Sequence, residues 1–259
     1  MLFIGPSGVG KSSASVQQDI CWGLGLEAFG IKPARPLKIL TIQAENDDGD
    51  MTEMARGVLD GLGLGREQRE FLRRQVIYAT VKTKTGKDFI EQTLAPLLDA
   101  YRPDLVRIDP FQSYLGDDFK EARALLEFCQ AGLNPLLEQY QCGCILNHHT
   151  PKTSNRDTTS WKATDWMYAG AGSAQLTNWA RAVMVVDSTK VPGLFKFIAA
   201  KRGSRLGWED GLERHFAHSR EPGKIVWEEP DVMDILEAQT PPPNLKKRNK
   251  GKSSGAGGA

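Results

Sequence analysis

The residues best suited to chemistry stand at the start of the chain. Gly5-Pro6-Ser7-Gly8-Val9-Gly10-Lys11-Ser12 fits the spacing G-x-x-x-x-G-K-[ST], and Ser13 follows it. Glycines at these positions let the backbone turn so that successive N–H groups converge on an anion. The lysine then reaches the β- and γ-phosphates of a nucleotide, and the first serine hydroxyl suits Mg²⁺. A helix opening near Gly10 adds the positive end of its dipole at the same point. By average residue usage the pattern arises in roughly one chain in a hundred of this length. Here an apolar run precedes it and helix-period spacing follows it, the context that gives it meaning. Gly5, Pro6, Ser7, Gly8, Val9, Gly10, Lys11, Ser12 and Ser13 are therefore the expected nucleotide-binding residues, with ATP and Mg²⁺ as cofactors.

A phosphate loop hydrolyses nothing by itself. A carboxylate must help hold the metal, and another group must orient the attacking water. PDLVRIDPF ends an apolar run in Asp109, which would emerge at the carboxyl end of a sheet strand beside Ser12. Arg107 interrupts that run and argues against a wholly buried strand. KILTIQAENDDGDM ends in Ala44-Glu45, and Glu45 would face the γ-phosphate if its strand neighbours the first. Asp47, Asp48 and Asp50 just beyond suit the N-terminus of a helix. CGCILNHHT carries His148 and His149 at the end of another run. An imidazole there could bond the γ-phosphate, but adjacent strand residues face opposite ways, so only one of the two can do so. No cysteine or carboxylate completes a zinc set around them.

Elements that would position these groups follow from hydrophobic period. Strand-like runs occur at 1–4, 37–43, 75–80, 105–108, 143–147, 182–186 and 195–200, with helix-period spacing at 11–29, 50–62, 88–101 and 120–140. Such alternation predicts an α/β fold: a mostly parallel central sheet with helices on both faces. A polar stretch at 151–173 is too long for an ordinary connection. Residues 212–229 read as a C-terminal β-hairpin turning at Glu221-Pro222-Gly223. From Thr240 the chain turns Pro-rich, then basic in KKRNKGK, then Gly/Ser-rich, which predicts a disordered tail. The expected organisation is one ATPase domain over 1–230 and a C-terminal segment over 231–259. The first strand begins at Met1 with nothing upstream to cover the sheet, which raises the expectation of a truncated or mis-assigned start.

The 259 residues are 40% apolar and 25% charged, with net charge +1, a balance that neither requires nor forbids nucleic acid. No apolar run reaches the ~18 residues of a membrane span, so no membrane partner is expected. Lys11 follows too soon for a signal peptide. Cys21, Cys129, Cys142 and Cys144 lack C-x-x-C spacing and read as buried free thiols of a cytoplasmic protein.

In order and type, the motifs resemble the RecA-like P-loop ATPases. They are GPSGVGKS, Ala44-Glu45, Asp109, Asn147-His148-His149-x-x-Lys152, GSAQLTNWARAVMVV and FKFIAAKRGSR. Within that family they are similar to the branch of the hexameric plasmid and phage replicative helicase RepA. The resemblance spans roughly residues 1–208. It implies catalytic roles for Lys11 and for Glu45, which would activate water, and metal roles for Ser12 and Asp109. His149, or else His148, would sense the γ-phosphate. It further implies a homo-oligomeric ring, usually a hexamer, in which a cation of a neighbour completes each site. Lys201 and Arg202 match that position, with Arg181 as a second candidate. The 151–173 loop would face the ring's channel and single-stranded DNA through Lys152, Arg156 and Lys162, with Trp161 and Trp166 either stacking on bases or packing on the protein. The activity implied is ATP-driven movement along single-stranded DNA, with other replication proteins as partners. A regulatory assembly module and a recombination or repair filament are the alternatives.

Overall fold

Nine strands form one sheet in the order β3-β2-β4-β5-β1-β6-β7-β8-β9. The computed structural model describes residues 1–116, 122–150, 161–168 and 174–240. The strands are β1 (Leu2–Gly5), β2 (Ile39–Gln43), β3 (Val76–Thr80), β4 (Leu105–Asp109), β5 (Gly143–His149), β6 (Val183–Ser188), β7 (Leu194–Lys201), β8 (Glu213–His218) and β9 (Trp227–Glu228). The first six pair in parallel, and β7, β8 and β9 are added antiparallel. Each of the seven strands expected from apolar runs is present. The expected hairpin is β8–β9, which extends the same sheet, with Ala217 opposite Glu228.

The helices depart more from expectation. α1 (Lys11–Gly23) stops well short of residue 29, because Gly25 takes a left-handed turn at φ 73°. α2 (Asp48–Gly61) starts at a capping box in which Asp47 accepts from the Asp50 N–H and Asp50 accepts from the Asp47 N–H. α3 (Arg66–Gln75) was not expected, since only Leu72 of its ten residues is buried. The helices expected over 88–101 and 120–140 each contain a wide π-turn, at Ile90–Leu94 and Glu127–Leu133. In both cases the next helical stretch opens with a proline, Pro96 or Pro135, whose missing N–H cannot continue the regular ladder. A last helix, Val232–Gln239, lies within the C-terminal segment, and the tail beyond residue 240 lies outside the described residues. No described helix is long and apolar enough to cross a membrane. The four cysteines are free thiols, three of them buried.

Strand alternation divides the sheet into two faces with different duties. Leu40, Ile42, Val106, Ile108 and Leu146 point to one side, packing with Phe89, Leu94, Leu98, Phe128 and Leu133. The alternate residues point to α1. On the β7–β9 side of that face they are aromatic, with Phe3, Phe29, Phe197, Phe216 and Trp227 in mutual contact. On the β2–β4–β5 side they are polar. Arg107, fully buried, sends Nη2 to Asp19 Oδ1 at 2.7 Å and to Gln18 Oε1 at 2.8 Å, and Nη1 to Asn147 Oδ1 at 3.3 Å. Thr41 donates to Asp19 at 2.7 Å, and Asn147 Nδ2 donates to Ser15 at 2.9 Å. The arginine that interrupts the apolar run of β4 is thus the partner of a carboxylate on α1, and the strand is buried despite it.

Removing one member of such a pair leaves an uncompensated buried charge, which costs about 3–5 kcal/mol, whereas replacing both by apolar groups is often near neutral. Arg107→Met should therefore lower stability by about that amount in urea unfolding. Asp19→Leu combined with Arg107→Met should recover most of the loss, and an additive double variant would refute the pairing.

Candidate active site

Backbone geometry explains the phosphate loop first. At Gly5 a Cβ would sit 2.5 Å from the Val186 carbonyl oxygen of β6, so a side chain is excluded by the neighbouring strand. Gly10, the N-cap of α1, has φ 87°, a conformation that L residues avoid. Lys11 turns back over this loop. Its Nζ donates to the carbonyls of Gly5 at 2.9 Å and Pro6 at 2.8 Å, and to His149 Nδ1 at 3.0 Å. With Nδ1 accepting, the imidazole presents Nε2 to Glu45, whose Oε1 lies 3.4 Å away. Ser12 donates to Asp109 Oδ2 at 3.3 Å. Lys11, Ser12, Glu45, Asp109 and His149 therefore meet at the carboxyl ends of β1, β2, β4 and β5, as their places at strand ends predict.

The same alternation that builds the buried network selects these groups. Asp109 lies two residues beyond Arg107 and His149 two beyond Asn147, so both fall on the α1 face. His148 falls on the other face, against Phe111 at 5.2 Å between ring centroids. Of the two histidines, His149 is the one at the site. Glu45 is carried by a turn that Gln43 holds: its side chain donates to the Asn46 carbonyl and accepts the Asn46 N–H, both at 2.8 Å, and also donates to Thr80 at 2.8 Å. Neither Gln43 nor Asn147 was singled out in the sequence. Their only signal was a polar side chain inside an apolar strand, two residues before the end.

Charge and burial oppose each other here. Burial lowers the Lys11 ammonium to about 8, against the raising pull of Asp109 and Glu45. Burial also raises the Asp109 carboxyl, while a hydrogen bond from Asn147 and the charges of Arg107 and Lys11 draw it down. No group of three or more potential metal ligands exists among the described residues. Ser12 and Asp109 instead offer two hard oxygens on one side of the loop, a set that fits Mg²⁺, which is commonly held by one or two protein oxygens, water and substrate phosphates.

The cations expected to act on a neighbour divide. Lys201 Nζ donates to the carbonyls of Thr177 at 2.6 Å and Ala180 at 2.8 Å, tying down the end of the helix Ala174–Trp179 in its own chain. Arg202, next to it, is exposed and left-handed at φ 50°. Because β7 runs against β6, with Lys201 opposite Val183, both lie at the end of the sheet away from Lys11. Arg181 is exposed. Lys152 and Arg156 lie outside the described residues. Lys162 is exposed at the N-cap of the helix Ala163–Met167. Trp166 on that helix is 2% exposed, with Lys196 of β7 4.6 Å above its ring and Trp161 beside it at 4.7 Å. Of the two readings left open for it, packing on the protein is the one the structure gives.

Among curated proteins, none matches the chain. Two solved structures share its fold. One is the crystal structure of the RadB recombinase, at 15% identity and TM-score 0.57, covering 89% of this chain and 90% of that one. The other is the ATPase domain of a helicase, at 11% identity and TM-score 0.59, covering 89% of this chain and 84% of that one. The fold is the RecA-like P-loop ATPase fold. The AAA domain family AAA_25 matches residues 1–155, from the phosphate loop past His149, and on that match the chain belongs to this family.

Proposed function

We propose that the chain is a Mg²⁺-dependent ATPase that assembles as a ring and moves along or remodels single-stranded DNA, as a plasmid or phage replicative helicase would. The observation that carries the ATPase reading is the meeting of Lys11, Ser12, Asp109, His149 and Glu45 within one set of hydrogen bonds and close contacts. Mg²⁺, held by Ser12 and Asp109, would supply charge neutralisation on the phosphates. The converging N–H groups of the loop bind the anion, and Lys11 leaves the Gly5 and Pro6 carbonyls to pair with it. Glu45 accepts a proton from the attacking water. His149, bonded to Lys11 and close to Glu45, is placed to respond when the γ-phosphate departs. Arg202 of one subunit would serve the site of the next, since it lies remote from its own.

The DNA and ring parts of this reading rest on the resemblance to replicative helicases and on the exposed Lys162. The RadB recombinase likeness supports a second reading, a recombination or repair filament. A regulatory assembly module is the third. ATPase assays with and without single-stranded DNA separate the motor from the module, and electron micrographs separate a ring from a filament.

Glu45→Gln should bind ATP within about threefold of the unaltered chain yet lose about a hundredfold or more in turnover, the scale of a general base. Normal turnover in that variant would reject the role. The lowered Lys11 sets a pH limb in the free enzyme: kcat/KM for ATP should hold steady below about 8 and fall above it, as the ammonium loses its proton. A profile that stays level to about pH 9.5 or more would show that Lys11 is not the phosphate ligand.

A further inference from the structure

The β8–β9 hairpin lies outside residues 1–155, yet it is bonded to the phosphate loop. β9 has only two residues, too few to hold its place by pairing alone. Its position comes from α1. Gln17 uses both ends of its amide on the Trp227 backbone, accepting the N–H at 2.7 Å and donating to the carbonyl at 2.8 Å. One turn earlier on the same helix face, Ser13 accepts from the Trp227 indole Nε1 at 3.0 Å and donates to the Gly10 carbonyl at 2.9 Å. The indole itself is 3% exposed, wedged among Phe29, Phe195, Phe197 and His218. Gly10 admits this approach only because it has no side chain: a Cβ there would lie 2.7 Å from Trp227 Cζ2 and 2.9 Å from His218 Nε2.

A hydroxyl has one proton and two lone pairs, so the bond it receives steers the bond it gives. With the indole N–H occupying one lone pair of Ser13, its proton is turned to the Gly10 carbonyl. That carbonyl belongs to the left-handed peptide that ends the loop and opens α1, and it also accepts the Ala14 N–H at 3.0 Å. The orientation of the Gly10–Lys11 peptide, on which the anion-binding N–H groups depend, is thereby fixed from the hairpin.

We propose that Trp227 is a positioning residue of the nucleotide site: its indole N–H, relayed through Ser13 to Gly10, holds the phosphate loop in its binding shape for a nucleoside di- or triphosphate. This inference rests on the reading of Gly5–Ser12 as a nucleotide site. Nucleotide binding and hairpin docking then favour each other equally, because the coupling is one free energy.

Trp227→Phe keeps an aromatic ring in the cluster and removes only the donor. In the full chain it should raise the ADP dissociation constant about tenfold, the scale of one hydrogen bond. During ATP turnover the loss should fall on KM rather than kcat, a split that general loss of structure would not give. On a Ser13→Ala background the same substitution should add nothing further. The unaltered chain gives a reading that needs no Trp227 variant to fold: the indole N–H resonance displaced by Ser13→Ala should shift on saturation with ADP and Mg²⁺. Lys11→Ala separates the two levels of the claim. If it leaves ADP binding intact, the nucleotide reading itself fails. If it abolishes binding while Trp227→Phe changes nothing, or acts equally on the Ser13→Ala background, or the indole resonance stays fixed on ADP addition, this proposal alone is overturned.

Discussion

The guanidinium of Arg107 has no route to water, and the place of α1 on the sheet depends on how it is satisfied. A buried charge is tolerated only when paired and hydrogen-bonded, and here the partners come from three elements: Asp19 and Gln18 on α1 and Asn147 on β5, with Thr41 of β2 completing Asp19. Such a pair adds little net stability compared with apolar packing. What it provides is register. An apolar helix face can slide or rotate by a fraction of a turn at small cost, but the Asp19 carboxylate cannot move from Arg107 without leaving both charges bare. α1 begins at Lys11, so whatever fixes Asp19 two turns along also fixes the phosphate loop above Asp109 and His149.

Asn147 carries that register into the site. Its amide binds Arg107 and Ser15, and it also hydrogen-bonds Asp109, whose carboxyl burial would otherwise raise further. The structural network and the chemical one therefore share a residue. At the other end of the site Lys11 is held by two carbonyls and an imidazole, acceptors that compensate a charge which burial disfavours. A phosphate offers stronger, charge-assisted bonds to the same ammonium. Exchange of Lys11 from loop carbonyls to phosphate frees His149 Nδ1 at the same moment, which gives the site a built-in route from nucleotide to the end of β5.

The strands and the phosphate loop were legible in the sequence because apolar runs and glycine spacing are local signals. Asp109, Glu45 and His149 were legible for the same reason: each ends such a run. Side chains whose role depends on a distant partner were not. Arg107 read as a flaw in its strand, since nothing local announces that Asp19 lies opposite. α3 escaped because REQREFLRRQ has almost no apolar face; it is held by Leu72 and by charges that suit a helix, Glu67 in the first turn and Arg73 and Arg74 in the last. Trp166 looked like a base-stacking residue on a polar stretch, and only the fold brings Lys196 and the sheet beneath it. Lys201 matched a neighbour-facing cation by position along a strand end, yet the helix Ala174–Trp179 ends beside it with carbonyls that need donors.

The antiparallel half of the sheet joins two ends of the molecule that the parallel half keeps apart. β8 ends at His218, beside Trp227 and the phosphate loop, and pairs along its length with β7, which ends at Lys201 next to the exposed Arg202. Eight residues of β7 span about 27 Å at the usual rise per residue, so the two ends are far apart but linked by a continuous ladder. A hydrogen-bonded ladder packed on an aromatic cluster shifts as a body rather than residue by residue. Whatever alters the fit of Trp227 against Ser13 is thereby felt along β7 at the surface that carries Arg202. In a ring, where that surface would face the next subunit, the state of one nucleotide site would bear on the completion of its neighbour without any contact between the two nucleotides.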